Sequence, residues 1–160
     1  MSIRKLVIVA GLVVALGAWY AFRPEKLFIN QRVNEQFPIA AAASQPTAIS
    51  SGAFHTVGHE TKGTATIYQT PDGKRTLRFS GFETSNGPDV QVYLVANTDA
   101  KDNDTVTKSG FFPLGMLKGN IGDQNYDVPS DVDLTKYRAV TIWCRRFGVN
   151  FATAPLSAKM

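Results

Sequence analysis

Cys144 is the single cysteine in the 160 residues, and it is the one strong nucleophile or soft metal ligand that a redox centre could use. It cannot close a disulfide within the chain, form a CxxC pair or complete a four-cysteine zinc site. Any thiol cycle must therefore run through a sulfenic acid, a mixed disulfide with a partner, or a bound metal centre. Its neighbours alternate. Val140, Ile142 and Cys144 fall on one face of a strand, and Ala139, Thr141, Trp143 and Arg145 on the other. The first set has the look of core, and a free cysteine there ordinarily packs as a small apolar side chain. The competing expectation is a reactive thiolate or a cofactor ligand, which Arg145 and Arg146 would support only by curling back to the sulfur's face.

His55 and His59 are four residues apart, a spacing that would aim both rings at one metal from a helix. Gly52, Gly58 and Gly63 surround them, however, and an extended chain would hold the rings about 13 Å apart. The two histidines, together with the thioether of Met116, are weak candidates for cofactor binding beside Cys144. The plainer expectation is two loop histidines and a core methionine. Asp99, Asp102 and Asp104 approach calcium-loop spacing, but from Asp102 the sixth and twelfth positions are Thr107 and Pro113 instead of Gly and Glu. A solvated loop is expected there, and no metal site. No GxSxG, HExxH or phosphate-binding glycine loop occurs, so no self-contained catalytic site is recognised.

The charge balance narrows the partners. Seventeen Lys plus Arg against thirteen Asp plus Glu give +4, and most of the excess lies at the front. Arg4, Lys5, Arg23, Lys26 and Arg32 outnumber Glu25 and Glu35 in the first 50 residues, leaving the rest near neutrality. Basic character of this kind flanks a membrane segment and does not form a nucleic-acid face.

Leu6 to Phe22 is an uncharged apolar run ending in Trp19, Tyr20 and Phe22, at the lower length limit for a bilayer-spanning helix. It is read as an uncleaved signal-anchor over residues 1–23, contacting lipid through residues 6–22. A cleaved secretory signal is the alternative, with Leu16-Gly17-Ala18 offering small residues for cutting. Positive charge is nearly balanced across the run. The short leading tail favours a cytoplasmic N-terminus with the larger part exported to the periplasm or cell exterior. Residues 24–50 are expected to hold a juxtamembrane helix, with Ile29, Val33 and Phe37 along one side, and then an Ala/Ser/Pro linker.

From Ser51 to Met160 the chain reads as short strands punctuated by Gly, Pro, Asn and Asp. GTATIYQ and RTLRFSGF flank the Pro71-Asp72-Gly73 turn as a hairpin. VQVYLVAN and YRAVTIWC supply central strands, Asn97 to Ser109 a polar loop, and GVNFATAPL the closing strand. The fold class expected is all-β, an antiparallel sandwich over residues 51–160 preceded by one N-terminal transmembrane helix.

Several stretches in order resemble the DM-thirteen domain. They are Gly52-Ala53-Phe54-His55 with Gly58 and Gly63, Asn86-Gly87-Pro88-Asp89 before Val92-Tyr93-Leu94, and Gly119-Asn120 with Gly122-Asp123-Gln124-Asn125-Tyr126. Ile142-Trp143-Cys144 followed by Phe147, Phe151, Ala154 and Leu156 completes the set. Bacterial members also resemble the whole layout, with a span, an Arg23-Pro24-Glu25 exit and Phe37-Pro38 before the domain. The resemblance covers roughly residues 50–158 and implies an electron-transfer role in which Cys144 is a redox thiol or the ligand of a group such as haem, served by a protein redox partner. Ala152 stands where members often have Gly, a departure expected to crowd a ligand pocket. The rival reading is a non-catalytic binding or scaffolding module of the cell envelope with a structural cysteine.

Overall fold

The computed structural model describes residues 2–22, 29–37 and 45–159. Its elements in chain order are α1 (Ile3–Phe22), β1 (Thr47–Ala53), β2 (His55–Thr56), β3 (Lys62–Gln69), β4 (Arg75–Glu83), β5 (Val90–Val95), α2 (Asn103–Ser109), β6 (Phe111–Met116), β7 (Gln124–Val128), β8 (Ala139–Cys144), β9 (Val149–Pro155) and β10 (Ser157–Ala158). The strands form two five-stranded sheets, ordered β10-β1-β3-β4-β7 and β2-β9-β8-β5-β6. Every pairing between named strands is antiparallel. The chain is thus a sandwich with an apolar N-terminal helix. A stretch of that helix, Ile3–Tyr20, is long and apolar enough to cross a membrane, a property signal sequences share.

Alternation builds the interior. Ala65 and Ile67 of β3, Leu77 and Phe79 of β4, and Val92 and Leu94 of β5 are fully buried and meet Val140, Ile142 and Cys144 of β8 in one apolar cluster. Phe54, Phe79 and Phe82 interlock there, with ring centroids 5.0 to 5.2 Å apart. The first strand begins at Thr47, four residues ahead of the expected domain start at Ser51.

The polar loop expected over Asn97 to Ser109 contains α2, which starts where Asp102 accepts a hydrogen bond from the Thr105 amide at 2.6 Å. Val106 of α2 and Ala100 are fully buried against Tyr93, Val95, Ala139 and Trp143. This cap explains why every residue of β5 and β8 is buried, on both faces of its sheet.

The juxtamembrane helix expected over 25–37 is not found across residues 29–37, which run extended as a strap along the first sheet; residues 25–28 and most of the expected linker, 38–44, lie outside the described residues. The Val33 amide donates to Ile121 at 2.9 Å, the Glu35 amide to Asp123 at 2.9 Å, and the Ile121 amide to Gln31 at 3.2 Å. A spacing of four residues is a whole number of strand repeats as well as about one helical turn, so Ile29, Val33 and Phe37 share a face in either conformation. The discriminating residue is Glu35. It turns inward with Val33 and Phe37, while Arg32, Asn34 and Gln36 point out.

The Glu35 carboxylate receives Lys118 Nζ at 2.8 Å and the Asn125 amide at 2.8 Å. Burial pushes this carboxyl up, but the Lys118 ammonium and the Asn125 donors outweigh it and hold it below the ordinary range. A carboxyl depressed in the folded state contributes stability that is complete above its unfolded value, about 4.3, and disappears as pH falls through the depressed one. Protection of the Val33 and Glu35 amides, measured against the intrinsic exchange rate at each pH, is therefore expected to fall below about pH 4. In Glu35→Gln the protection is expected to lose that pH dependence; an unchanged acid profile would remove Glu35 as the cause.

Candidate functional site: the enclosed thiol and the cleft beside it

The last residue of β8 is Cys144, with Val90 of β5 and Val149 of β9 as its strand partners. Its side chain is free, fully buried and directed into the cluster between the sheets. The hairpin to β9 closes immediately behind it, the Gly148 amide donating to the Cys144 carbonyl at 2.9 Å. Arg145 does not curl back to the sulfur. Its Nε donates to Asp89 Oδ2 at 2.8 Å, while Asp89 Oδ1 accepts from Gln91 Nε2 at 2.6 Å. Asp89 thus ties the 86–89 turn to the end of β8 and leaves the thiol in apolar company.

The other sequence candidates lie elsewhere. His55 pairs with Thr153 across β2 and β9, and its Nε2 lies 2.7 Å from Asp99 Oδ1, its Nδ1 3.4 Å from the Thr56 carbonyl. Thr153 lies beneath Ala100 on the capped face of the sheet, the face opposite Cys144. The His55–Asp99 pair lines a shallow depression with Thr56 and Lys101. His59 stacks on Phe151 with centroids 3.8 Å apart. Met116 pairs with Gln91 at the end of β6 and is 58% exposed, so the expected core methionine lies at the surface.

The aspartates of the calcium-like run are engaged singly: Asp99 with His55, Asp102 with the Thr105 amide, Asp104 with Lys108. Among the described residues no three His, Cys, Asp or Glu side chains gather to hold a metal.

The packing does not accommodate haem at Cys144. The sulfur is enclosed between Val90 and Val149 along the sheet and by apolar side chains across it. His55 and Met116 lie on the other face, opposite Thr153 and Gln91, and the His59 ring is taken up by Phe151. Ala152 is fully buried opposite Ile142, filling the interior where a glycine would leave space.

A cleft of about 270 Å³ lies between the strap and the 86–89 turn, lined by Ile29, Gln31, Pro88, Val90, Met116 and Asn120 among others. Val90 is both a wall of this cleft and the strand partner of Cys144. Two glycines of the quoted motifs make the arrangement: a Cβ on Gly87 would lie 2.6 Å from Val90 Cγ2, and one on Gly119 2.6 Å from the Gln31 carbonyl oxygen. Asn120 completes it, accepting from the Gln31 amide at 2.7 Å while donating to Thr84 and Asn30.

Beneath the cleft Gln124 is fully buried and fully used. Its Nε2 donates to the Gly119 carbonyl at 2.9 Å, and its Oε1 accepts from the Lys118 amide at 3.2 Å and from the Tyr126 hydroxyl at 2.6 Å. Burial drives the Tyr126 phenol upward, which keeps it a proton donor to Gln124. The Gly119 to Tyr126 motif is therefore the floor on which the strap lies. Sequence reasoning quoted those residues without this role, because the strap that needs them is about 90 positions away.

A family model described as Electron transfer DM13 matches residues 53–156. No curated protein and no solved structure matches the chain.

Proposed function

Because the chain belongs to the DM13 electron-transfer family, we propose that it is a bacterial, membrane-anchored module whose sandwich is exported and whose redox group is the Cys144 thiol. The observation that carries this reading is the family match over the very domain whose interior holds the chain's single cysteine. The apolar helix α1, exposed over residues 2–20, supports anchoring, and the short tail ahead of it favours an N-terminus in the cytoplasm.

Enclosure selects among the chemistries open to one thiol. A disulfide partner would have to touch the sulfur, and a sulfenic acid needs peroxide to reach it. An electron can leave through packed protein. The step is then a one-electron oxidation: the thiol loses one electron to a one-electron acceptor on a protein partner and one proton to solvent, leaving a thiyl radical. One electron and one proton returned restore the thiol.

Burial of Cys144 also favours a second reading, a binding or scaffolding module with a structural cysteine. Cys144→Ser and Cys144→Ala in the full chain separate the two. The redox reading expects both variants to fold, to insert, and to abolish electron delivery to the partner in membranes. If Cys144→Ala keeps that delivery and Cys144→Ser loses only about 1 to 2 kcal/mol of stability, the structural reading replaces it. A reporter fused after Met160 tests topology, with activity expected outside the cytoplasm only.

A further inference from the structure

Outside α1, the large apolar side chains exposed among the described residues are Ile29, Phe111, Met116 and Phe147, at 60%, 42%, 58% and 67%. Phe111 is stacked flat on Tyr93 with centroids 4.3 Å apart. The other three come from separate segments and meet at one end of the sandwich. Met116 ends β6 opposite Gln91, Phe147 lies in the turn between Cys144 and Val149, and Ile29 shares the cleft wall with Met116. Val90 pairs with Cys144 at this same end, so the β6 terminus and the β8–β9 turn lie at one end of the sheet with β5 between them. The opposite end carries the 70–74 turn, where Thr70 and Lys74 hold Asp72.

This apolar end is also where the chain arrives from α1. The strap enters at Ile29 and runs away from it, reaching Tyr68, whose ring packs against Phe37 at 4.7 Å, beside the far turn. Between Phe22 and Ile29 the chain can span at most about 25 Å.

We propose that the end bearing Ile29, Met116 and Phe147 seats on the surface of the lipid bilayer that α1 spans. This rests on the anchored reading above. Three apolar side chains would bind a membrane weakly from free solution, but a short tether makes the contact intramolecular at high effective concentration. Arg145 is matched by Asp89 and Lys62 by Glu83, so these two cations are engaged within the domain. The seated orientation turns the cleft beside Val90 toward the headgroups and leaves the 70–74 turn in water.

The full chain is reconstituted into phosphatidylcholine nanodiscs with a nitroxide at Phe147→Cys or, as reference, at Asp72→Cys. The unsubstituted chain, with Cys144 enclosed, should take no label. The expected result is a label at 147 that collides preferentially with oxygen, at headgroup depth, while the label at 72 collides preferentially with an aqueous nickel chelate. Adding Ile29→Ser and Met116→Ser should shift the label at 147 to the aqueous pattern. An aqueous pattern at 147 in chains that stay with the discs through an alkaline carbonate wash overturns the seating and leaves the anchor standing. Loss of the chain from the discs in that wash overturns both.

Discussion

Leu94→Ala is expected to cost roughly 2 to 5 kcal/mol, which moves the midpoint of thermal unfolding by about 8 to 20 °C in a domain of this size. Leu94 is fully buried in the middle of β5, between Val140 of β8 and Phe112 of β6. Its side chain points into the cluster shared by the two sheets, and β5 is covered on its other face by α2 and the loop before it. With both faces closed, the surroundings have little freedom to collapse into the space a truncated leucine leaves. The cost should therefore fall in the upper part of that range. Denaturant titration of the purified chain measures it. A loss below about 1 kcal/mol would mean that β5 presents its other face to the first sheet, which would also turn Cys144 outward, because Val90 and Cys144 are direct partners.

The face on which Cys144 lies was readable from period-two alternation, as were the hairpin at Pro71-Asp72-Gly73 and the core positions of β3 and β4. These signals are local and need no knowledge of the partner strand. What escaped depends on segments far apart in the chain. The seven residues of α2 offer a single buried side chain, Val106, so no helical stripe stands out in a run that is otherwise polar. The strap is not legible because four-residue spacing is neutral between helix and strand, and because its partners, Ile121 and Asp123, come only after three of the five strands of the first sheet.

The candidate site divides in the same way. His55 is four residues from His59, a spacing the fold does not use. Its actual partner, Asp99, is 44 residues away and is brought near by the pairing of β2 with β9. The cleft beside Val90 joins the strap, the 86–89 turn and the end of β6, three pieces that no single motif contains.

Gly122→Ala is expected to detach the strap while leaving the sandwich folded. Gly122 has φ +103°, a region that costs an L side chain about 1 to 2 kcal/mol. The larger effect is contact, for a Cβ there would lie 1.9 Å from the Val33 carbonyl oxygen. Ordinary contact begins at 3.4 Å, so the strap would have to retreat by about 1.5 Å. A shift of that size breaks the Val33 and Glu35 main-chain bonds to Ile121 and Asp123. The strap has little margin to absorb it, because hydrogen bonds worth about 1 kcal/mol each do little more than offset about 1 kcal/mol of ordering per backbone residue. Exposed Arg32 provides the readout. Trypsin should cut after it at least about tenfold faster in Gly122→Ala, the factor that corresponds to 1.4 kcal/mol of lost docking. In a chain reduced to residues 45–160 the same substitution should cost only the backbone strain. Equal losses of stability in the two chains, with cleavage at Arg32 unchanged, would show that Gly122 serves the β4–β7 connection and not the strap.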